Sequence, residues 1–482
     1  MCCLLVACAP SAPEQVAVPL RMAIAQAPLN LDPRYATDAA SERVNRLLYQ
    51  RLVEFDTSSQ IIPSLAEWQV IDAQHYRFTL RQVSHFHDGQ LLTSQDVKAT
   101  YESLLRLTDA PHRAEFSNIS RIEIDSAQAL SFYLTQPDQH FIEKLIIGIL
   151  PKAQIEQGHD FAHAPIGSGP LKLLRWQSAL TLQRLTDGQL ITLTEVKDPT
   201  VRVLKLLRGE TDLLQGDLPP ELVGYLKSKP DITVKSHIGS NFSYLGINMQ
   251  DPALKQLKVR QALAHAIDRQ AIVRQVMVDQ TRIAGAILPP EHYAGNRQLA
   301  SYAYRPLYAK KLLREAGIQL PLKLVYKTST DAQRVRFATI LQAQMAPAGI
   351  DLEIRSLDWG TFFEDVKQGQ FQLYGLTWVG IKTPEIYAKA FGSAATPPHG
   401  FNRGRYSDHE LDQLLAAENW PAVTQRVHQQ LPYIPLWYEG QFAAYRAPVQ
   451  EYAAQADGNW DGLANVQLSN TTSAKLAQRH TK

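Results

Sequence analysis

Apolar and polar positions along this chain alternate between two periods, and the changes of period mark strands and helices in turn. Residues 20–24 form a short apolar run of strand length. Strand-like runs follow at Leu52-Val53-Glu54-Phe55, Trp68-Gln69-Val70 and 76–80, the last alternating with period two as a half-buried antiparallel strand does. Residues 122–124 and 130–134 predict a further antiparallel pair. Between these sets, Thr93 and Asp96 have the spacing of a capping box and open a helix carrying Val97, Tyr101, Leu104 and Leu105. From Tyr244 the pattern predicts a buried strand (Tyr244, Leu245, Ile247) and a polar turn at Gln250-Asp251-Pro252. The helix after it places Val259, Ala262, Leu263, Ala266 and Ile267 on one face. Asp268 is the N-cap candidate of a second short helix. Helices over 331–346 and 360–368 and strands over 352–354 and 372–377 complete an α/β pattern.

The unit from 244 to 273, YLGINMQDPALKQLKVRQALAHAIDRQAIV, is more specific as a string than as a strand–turn–helix. It resembles the crossover segment of family 5 solute-binding proteins, the extracytoplasmic receptors of peptide and nickel ABC transporters. Collinear resemblances flank it: RLLYQRLVEFD (46–56), IPSLAEWQV (62–70), FHDGQLLTSQDVKATYESLL (86–105) and GSGPLKL (167–173) upstream. Downstream come GIDLEIRSLDWGTFFEDVKQGQFQL (349–373), NRGRYSDHELDQLL (402–415) and YIPLWYEGQFAAYR (433–446). The resemblance implies a two-lobed α/β periplasmic-binding-protein fold of type II. Lobe one would be built from 20–44, 151–244 and 436–482, with an extra strand-rich subdomain over 45–150, and lobe two from 245–435. It further implies a monomeric, non-enzymatic receptor without a cofactor, which captures a peptide or other small solute in a hinged cleft and hands it to permease subunits. A ligand sensor of the same fold, or a receptor for a metal chelate or an oligosaccharide, is the alternative.

Composition narrows the class without naming a ligand. With 482 residues, 45% apolar and 20% charged, the chain is long enough for two or three domains, and its formal charge of +2 offers no basic field for nucleic acid. Cys2, Cys3 and Cys8 are its three cysteines, which excludes a disulfide framework, a thiolate metal site and a cysteine nucleophile from residue 9 onward. Leu5-Val6-Ala7-Cys8 resembles a lipobox, so Cys8 is expected to carry a lipid that anchors the protein to the membrane on the periplasmic side. Residues 1–19 would then be a signal remnant and a Pro- and Ala-rich tether. A signal needs a basic start and an apolar stretch of about 7–15 residues, so the natural start is expected upstream of Met1.

Most candidate chemistry has a plain structural reading. His85 and His87 are too few for a metal site and belong to a hairpin turning at Asp88-Gly89; His159 and His163 lie in a loop. Gly167-Ser168-Gly169 lacks the spacing of a nucleophile elbow, and the neighbouring carboxylates Glu364 and Asp365 point about 100° apart on a helix. The ligand candidates are Trp378 at a strand end, Trp359 before a helix, Arg334 with Arg336, and Tyr244. By resemblance, Trp378 faces the ligand, and a W-x-x-D aspartate in peptide binders pairs with the α-ammonium. Here Ile381 fills that position and Lys382 follows. Burying an unpaired ammonium is costly, so a free peptide N-terminus is not expected unless Asp358 or Glu385 substitutes. Arg334 and Arg336 lie where some members hold a ligand carboxylate, a role that suits a guanidinium.

Overall fold

A computed structural model describes residues 19–56, 59–397, 400–452 and 454–469. Cys8 and the tether before Pro19 lie outside the described residues. The main body is one 11-stranded mixed sheet. Its order from one edge is Leu171–Trp176, Ala179–Arg184, Leu190–Glu195, Leu20–Ile24, Leu213–Gln215, Tyr433–Tyr445, Thr233–Ile247, Leu373–Trp378, Leu322–Ser329 and Ile350–Leu357, and the short strand Arg282–Ile283 pairs with Tyr433–Tyr445. The strands near the middle are apolar on both faces because helices cover both. In Leu20–Ile24, Met22 and Ile24 pack into one core while Ala23 packs into another on the opposite face. In Thr233–Ile247 the same parity sends Leu245 and Ile247 to one lobe-two core and Phe242 and Tyr244 to the other.

Two long antiparallel strands, Thr233–Ile247 and Tyr433–Tyr445, run through both halves of this sheet. Their ladder is interrupted between His237 and Asn241, opposite Glu439 and Gln441. Gly239 sits in that gap, where an added Cβ would fall 1.6 Å from the Glu439 carbonyl oxygen, so the two backbones touch where only glycine fits. On one side of the gap residues 443–445 pair with the strand Leu213–Gln215, and on the other residues 242–247 pair with Leu373–Trp378.

A separate core lies between Leu52 and Ile149. It packs a four-stranded antiparallel sheet, Ala66–Asp72, His75–Leu80, Ala129–Leu134 and Ile119–Ser126, under the helix Ser94–Arg106. The Thr93–Asp96 capping box is present at the start of that helix. Outside this subdomain, Asp268 caps Arg269–Val276 and Asp331 caps Ala332–Met345, as their positions in the sequence predict. The GSG motif proves to be a packing device. An added Cβ at Gly167 or Gly169 would lie 2.0 Å from the Leu48 oxygen or 2.4 Å from the Leu47 oxygen, at the end of the helix Ala39–Leu48.

The arginines of the crossover segment are buried and hold backbone rather than ligand. Arg260 donates to the carbonyls of Gln430, Leu254 and Lys255 at 2.9, 3.1 and 2.7 Å. Arg269 donates to Pro435 at 2.7 Å and to Ala264 at 2.9 Å, and burial pulls its pKa down to about 10, still protonated at neutral pH. The crossover helices are thereby tied to the strand that leaves lobe two. Arg269→Met fills similar volume but leaves these carbonyls without a donor. Urea unfolding should show a loss of about 2–4 kcal/mol, the scale of breaking buried hydrogen bonds to a charged group; an unchanged midpoint would refute this role.

Candidate functional site

Lobe two and the strand-rich subdomain face each other across a cavity of ≈ 170 Å³. Lobe two contributes Trp378, Gly380, Ile381, Lys382, Thr383, Glu385, Ile386, Lys389 and Phe401; the subdomain contributes Phe55, Glu115, Glu143, Lys144 and Ile146. A second hollow of ≈ 270 Å³ shares Glu115, Lys144, Glu385 and Lys389 with it and runs outward past Asn118 and Asp138. The strand Leu373–Trp378 ends beside the hinge, where Phe242 pairs with Trp378 in register. The Gly380 N–H, in the turn that follows, donates to Asn241 Oδ1 at 3.2 Å. This turn presents Trp378, Ile381 and Lys382 side by side in one wall.

Trp378 is held from behind by a buried cation. The Arg403 guanidinium lies 5.0 Å from the indole centroid, 5.1 Å from the Phe363 ring and 5.8 Å from the Phe401 ring. One of its N–H groups donates to the Tyr244 hydroxyl at 3.4 Å. Arg403 is 8% exposed and has no carboxylate partner among the described residues, so the aromatic faces supply its main electrostatic compensation.

The cavity wall carries Glu115, Glu143 and Glu385 against Lys144, Lys382 and Lys389, a balanced set. Several of their ion pairs cross between the lobes. Lys144 reaches Asp138 at 2.7 Å and Glu385 at 3.0 Å; Lys389 reaches Glu385 at 3.4 Å and Glu115 at 3.5 Å. Against a burial that opposes ionisation, the His112 imidazole and the Lys389 ammonium hold the Glu115 carboxyl down at about 2. Lys382 is paired with Asp457 of lobe one at 2.7 Å, and Asp457 is 4% exposed. That pairing cancels the repulsion that Lys382 would otherwise bring beside Ile381.

Other candidates lie elsewhere. Tyr244 is 1% exposed and stacks on Tyr433 at 4.0 Å and under Trp378 at 6.4 Å, so it supports the wall from beneath instead of lining it. It shares the parity of Trp378 but pairs with Leu376, one step deeper in the sheet. Trp359 is 53% exposed, opens the helix Trp359–Gln368, stacks on Phe363 at 5.3 Å and is outside the cavity lining. Asp358 is spent on capping that helix. Arg334 sits in the first turn of Ala332–Met345 and is likewise outside the lining, while Arg336 forms an interlobe ion pair with Glu221 at 2.5 Å. His87 bonds the Gly169 carbonyl at 3.1 Å, which ties the hairpin turn to the 167–169 segment. Reasoning from the sequence missed Glu143, Lys144, Phe55, Phe401 and Arg403. The subdomain residues are more than two hundred positions from Trp378, and no spacing signals their approach; of the two stand-in carboxylates named from the sequence, Glu385 lines the cavity and Asp358 does not.

Comparison with known proteins agrees with this architecture. Residues 60–396 match the family described as "Bacterial extracellular solute-binding proteins, family 5 Middle". The Pseudomonas aeruginosa (strain UCBPP-PA14) protein named "Probable di/tripeptide-binding protein 5" is 28% identical over 474 residues, covering 86% of this chain and 89% of that protein. Among solved structures, NikA from Brucella suis in complex with Fe(III)-EDTA superposes with a TM-score of 0.85 at 20% identity, covering 94% of this chain and 100% of NikA. The dipeptide-binding protein of Pseudoalteromonas sp. SM9913 in complex with Met-Leu gives 0.82 at 22% identity, with 94% and 100% covered. Both structures share the type II binding-protein fold. With a matched family core, a sheet threaded by two long strands and a cavity between lobe two and the strand-rich subdomain, the chain belongs to the bacterial extracellular solute-binding proteins of family 5.

Proposed function

We propose that this protein is the substrate-binding component of an ABC importer, taking a peptide or peptide-like solute into the interlobe cavity and delivering it to the permease. The observation that carries this reading is the cavity itself: an indole and a phenyl ring in a wall with balanced charges, closed off by two bodies that share a hinge. The name of the Pseudomonas relative favours a peptide over a chelate. Binding acts as a population shift. Ligand touches both lobes in the closed arrangement and one in the open, and the difference in affinity drives closure. Trp378, Ile381 and Lys382 are the ligand-facing residues of lobe two in this reading. The protein works as a monomer on the periplasmic side, tethered by lipid at Cys8.

Titration with di- and tripeptides should quench tryptophan fluorescence, and Trp378→Ala should weaken binding by about 1–3 kcal/mol, the scale of one aromatic anchor. Affinity unchanged in that variant would remove the ligand from this wall. For the anchor, Cys8→Ser in a precursor with a complete signal should move the protein from the membrane fraction to the soluble one. Wild-type protein that is soluble and uncut before Cys8 would end the lipoprotein reading.

Closure should also respond to pH through His140. Its Nδ1 lies 3.1 Å from Glu143 in the subdomain and its Nε2 lies 3.1 Å from Glu418 in lobe two, close ion-pair approaches whose N–H directions are off the hydrogen-bond axis. Glu143 at that distance and the charges of both carboxylates outweigh partial burial and raise the pKa from 6.5 to about 9. Glu143 stays beside His140 when the lobes part, so only the share of this raise that Glu418 supplies is linked to closure; that share is present while His140 is protonated and is lost as pH climbs through about 9. Peptide affinity should therefore fall as pH rises through about 9 in wild type. His140→Gln should flatten that part of the profile, and an equally steep profile in the variant would exclude His140 as the source.

A further inference from the structure

One helix of lobe two turns large apolar side chains to water. Pro306–Glu315 buries Ala309, Leu312 and Leu313 in a lobe-two core and leaves its opposite face open. Leu307 on that face is 79% exposed, more than any other large apolar side chain among the described residues, and Tyr308 and Tyr304 beside it are 43% and 36% exposed. Neither tyrosine is loose. The Tyr304 hydroxyl donates to the Gln344 carbonyl at 3.3 Å, and the Tyr308 ring meets His265 edge-on at 5.2 Å. At about 100° per residue, Lys311 and Arg314 follow Leu307 along the same face, one and two turns on. Arg305 precedes the helix and Lys310 flanks the face. Glu315 is the one carboxylate of the segment 304–315, and Lys258 at 3.0 Å and Lys311 at 3.8 Å share it. Arg305, Lys310 and Arg314 have no ion pair among the described residues, so the positive charge around Leu307 is largely uncompensated.

From this juxtaposition we infer that residues 304–308 and the basic turns behind them form a membrane-contact face, and that its partner is the anionic headgroup layer of a bilayer. Apolar residues scattered singly over a surface need no partner, but a cluster of this kind marks one. The charge selects a negative partner and the shape selects a soft one. Leu307 stands out from the surface as a knob, for which a folded acidic protein must supply a matching socket; a lipid interface admits it without one. The tyrosines have an apolar body and a polar tip, which matches the headgroup level. Lys311 and Arg314 keep their charged ends among phosphates while their stems cover the apolar side chains. None of these residues lines the cavity, so the inference stands apart from the ligand reading. It sets lobe two against the membrane and leaves lobe one to move about the hinge.

Vesicle co-sedimentation tests this with the full chain carrying Cys8→Ser, so that no lipid anchor contributes. This parent should bind mixed phosphatidylcholine and phosphatidylglycerol vesicles about tenfold or more tightly than vesicles of phosphatidylcholine alone, and added salt should weaken that binding. Lys311→Glu with Arg314→Glu should remove the preference for anionic vesicles, and Leu307→Ser should weaken binding about fivefold. Tyr225→Ser, which alters a comparably exposed tyrosine on lobe one, should change nothing. These side chains lie on the surface, so the variants should keep the parent's circular dichroism. Equal binding to both kinds of vesicle, a preference that survives the double charge reversal, full binding by Leu307→Ser, or an equal loss in Tyr225→Ser would each overturn the inference. Absence of binding to either vesicle would overturn it too and leave an acidic protein surface as the occupant.

Discussion

The structure depends on one constraint: two extended strands that belong to both lobes at once. Thr233–Ile247 and Tyr433–Tyr445 are hydrogen-bonded along most of their length, and the ladder lapses beside Gly239. A continuous ladder would join the lobes as one stiff sheet. A full break would leave two domains on loose linkers. A short interruption between paired segments leaves a few backbone torsions to absorb rotation while register on either side is kept. Everything that forms the site is arranged around that gap. Trp378 ends the strand next to it, Asn241 holds the Gly380 turn, and Glu439 accepts the hydroxyls of Ser243 and Thr377 at 2.5 and 2.9 Å just beyond it.

The contacts that close the cleft are largely charged. Lys144–Glu385, Lys389–Glu115, His140–Glu418, Lys382–Asp457 and Arg336–Glu221 all join a residue of lobe two to one of lobe one or its subdomain. The exposed Arg336–Glu221 pair is worth about 0–1 kcal/mol, and in the more buried pairs the cost of desolvating both charges offsets much of their attraction. An apolar seam of similar area would hold the lobes shut without ligand. Charged contacts orient the approach and leave closure near balance, so a bound solute can decide it. In the cavity, Trp378 and Phe401 offer apolar surface and Arg403 stiffens them from behind.

Local signals in the sequence were strong enough to determine much of the architecture. The period-two run at 76–80, the Thr93–Asp96 box, the caps at Asp268 and Asp331 and the helical face from Val259 to Ile267 all appear in the structure near their expected places, because each depends on residues a few positions apart. The crossover string identified the family for a related reason. Arg260 and Arg269 satisfy carbonyls at the junction between the crossover helices and the returning strand, a packing demand shared by any chain with this topology and indifferent to the ligand.

The candidate cavity was legible only in part, and the division follows from distance along the chain. Trp378, Ile381 and Lys382 sit on one strand end and its turn, so reading one segment was enough to place them together. Tyr244 and Trp359 were attractive by type, yet depth in the sheet put one under the wall and helix geometry left the other on the surface. Glu143, Lys144 and Phe55 carry no mark of their role, because their place in the wall exists only when the subdomain folds over lobe two. The same holds for charge. The sequence by itself determined that Ile381 offers no acceptor for an ammonium. Tertiary structure alone decided that Lys382 is neutralised by Asp457 and that Glu143 enters the cavity wall beside His140, since the energy of a buried charge depends on neighbours that no local pattern records.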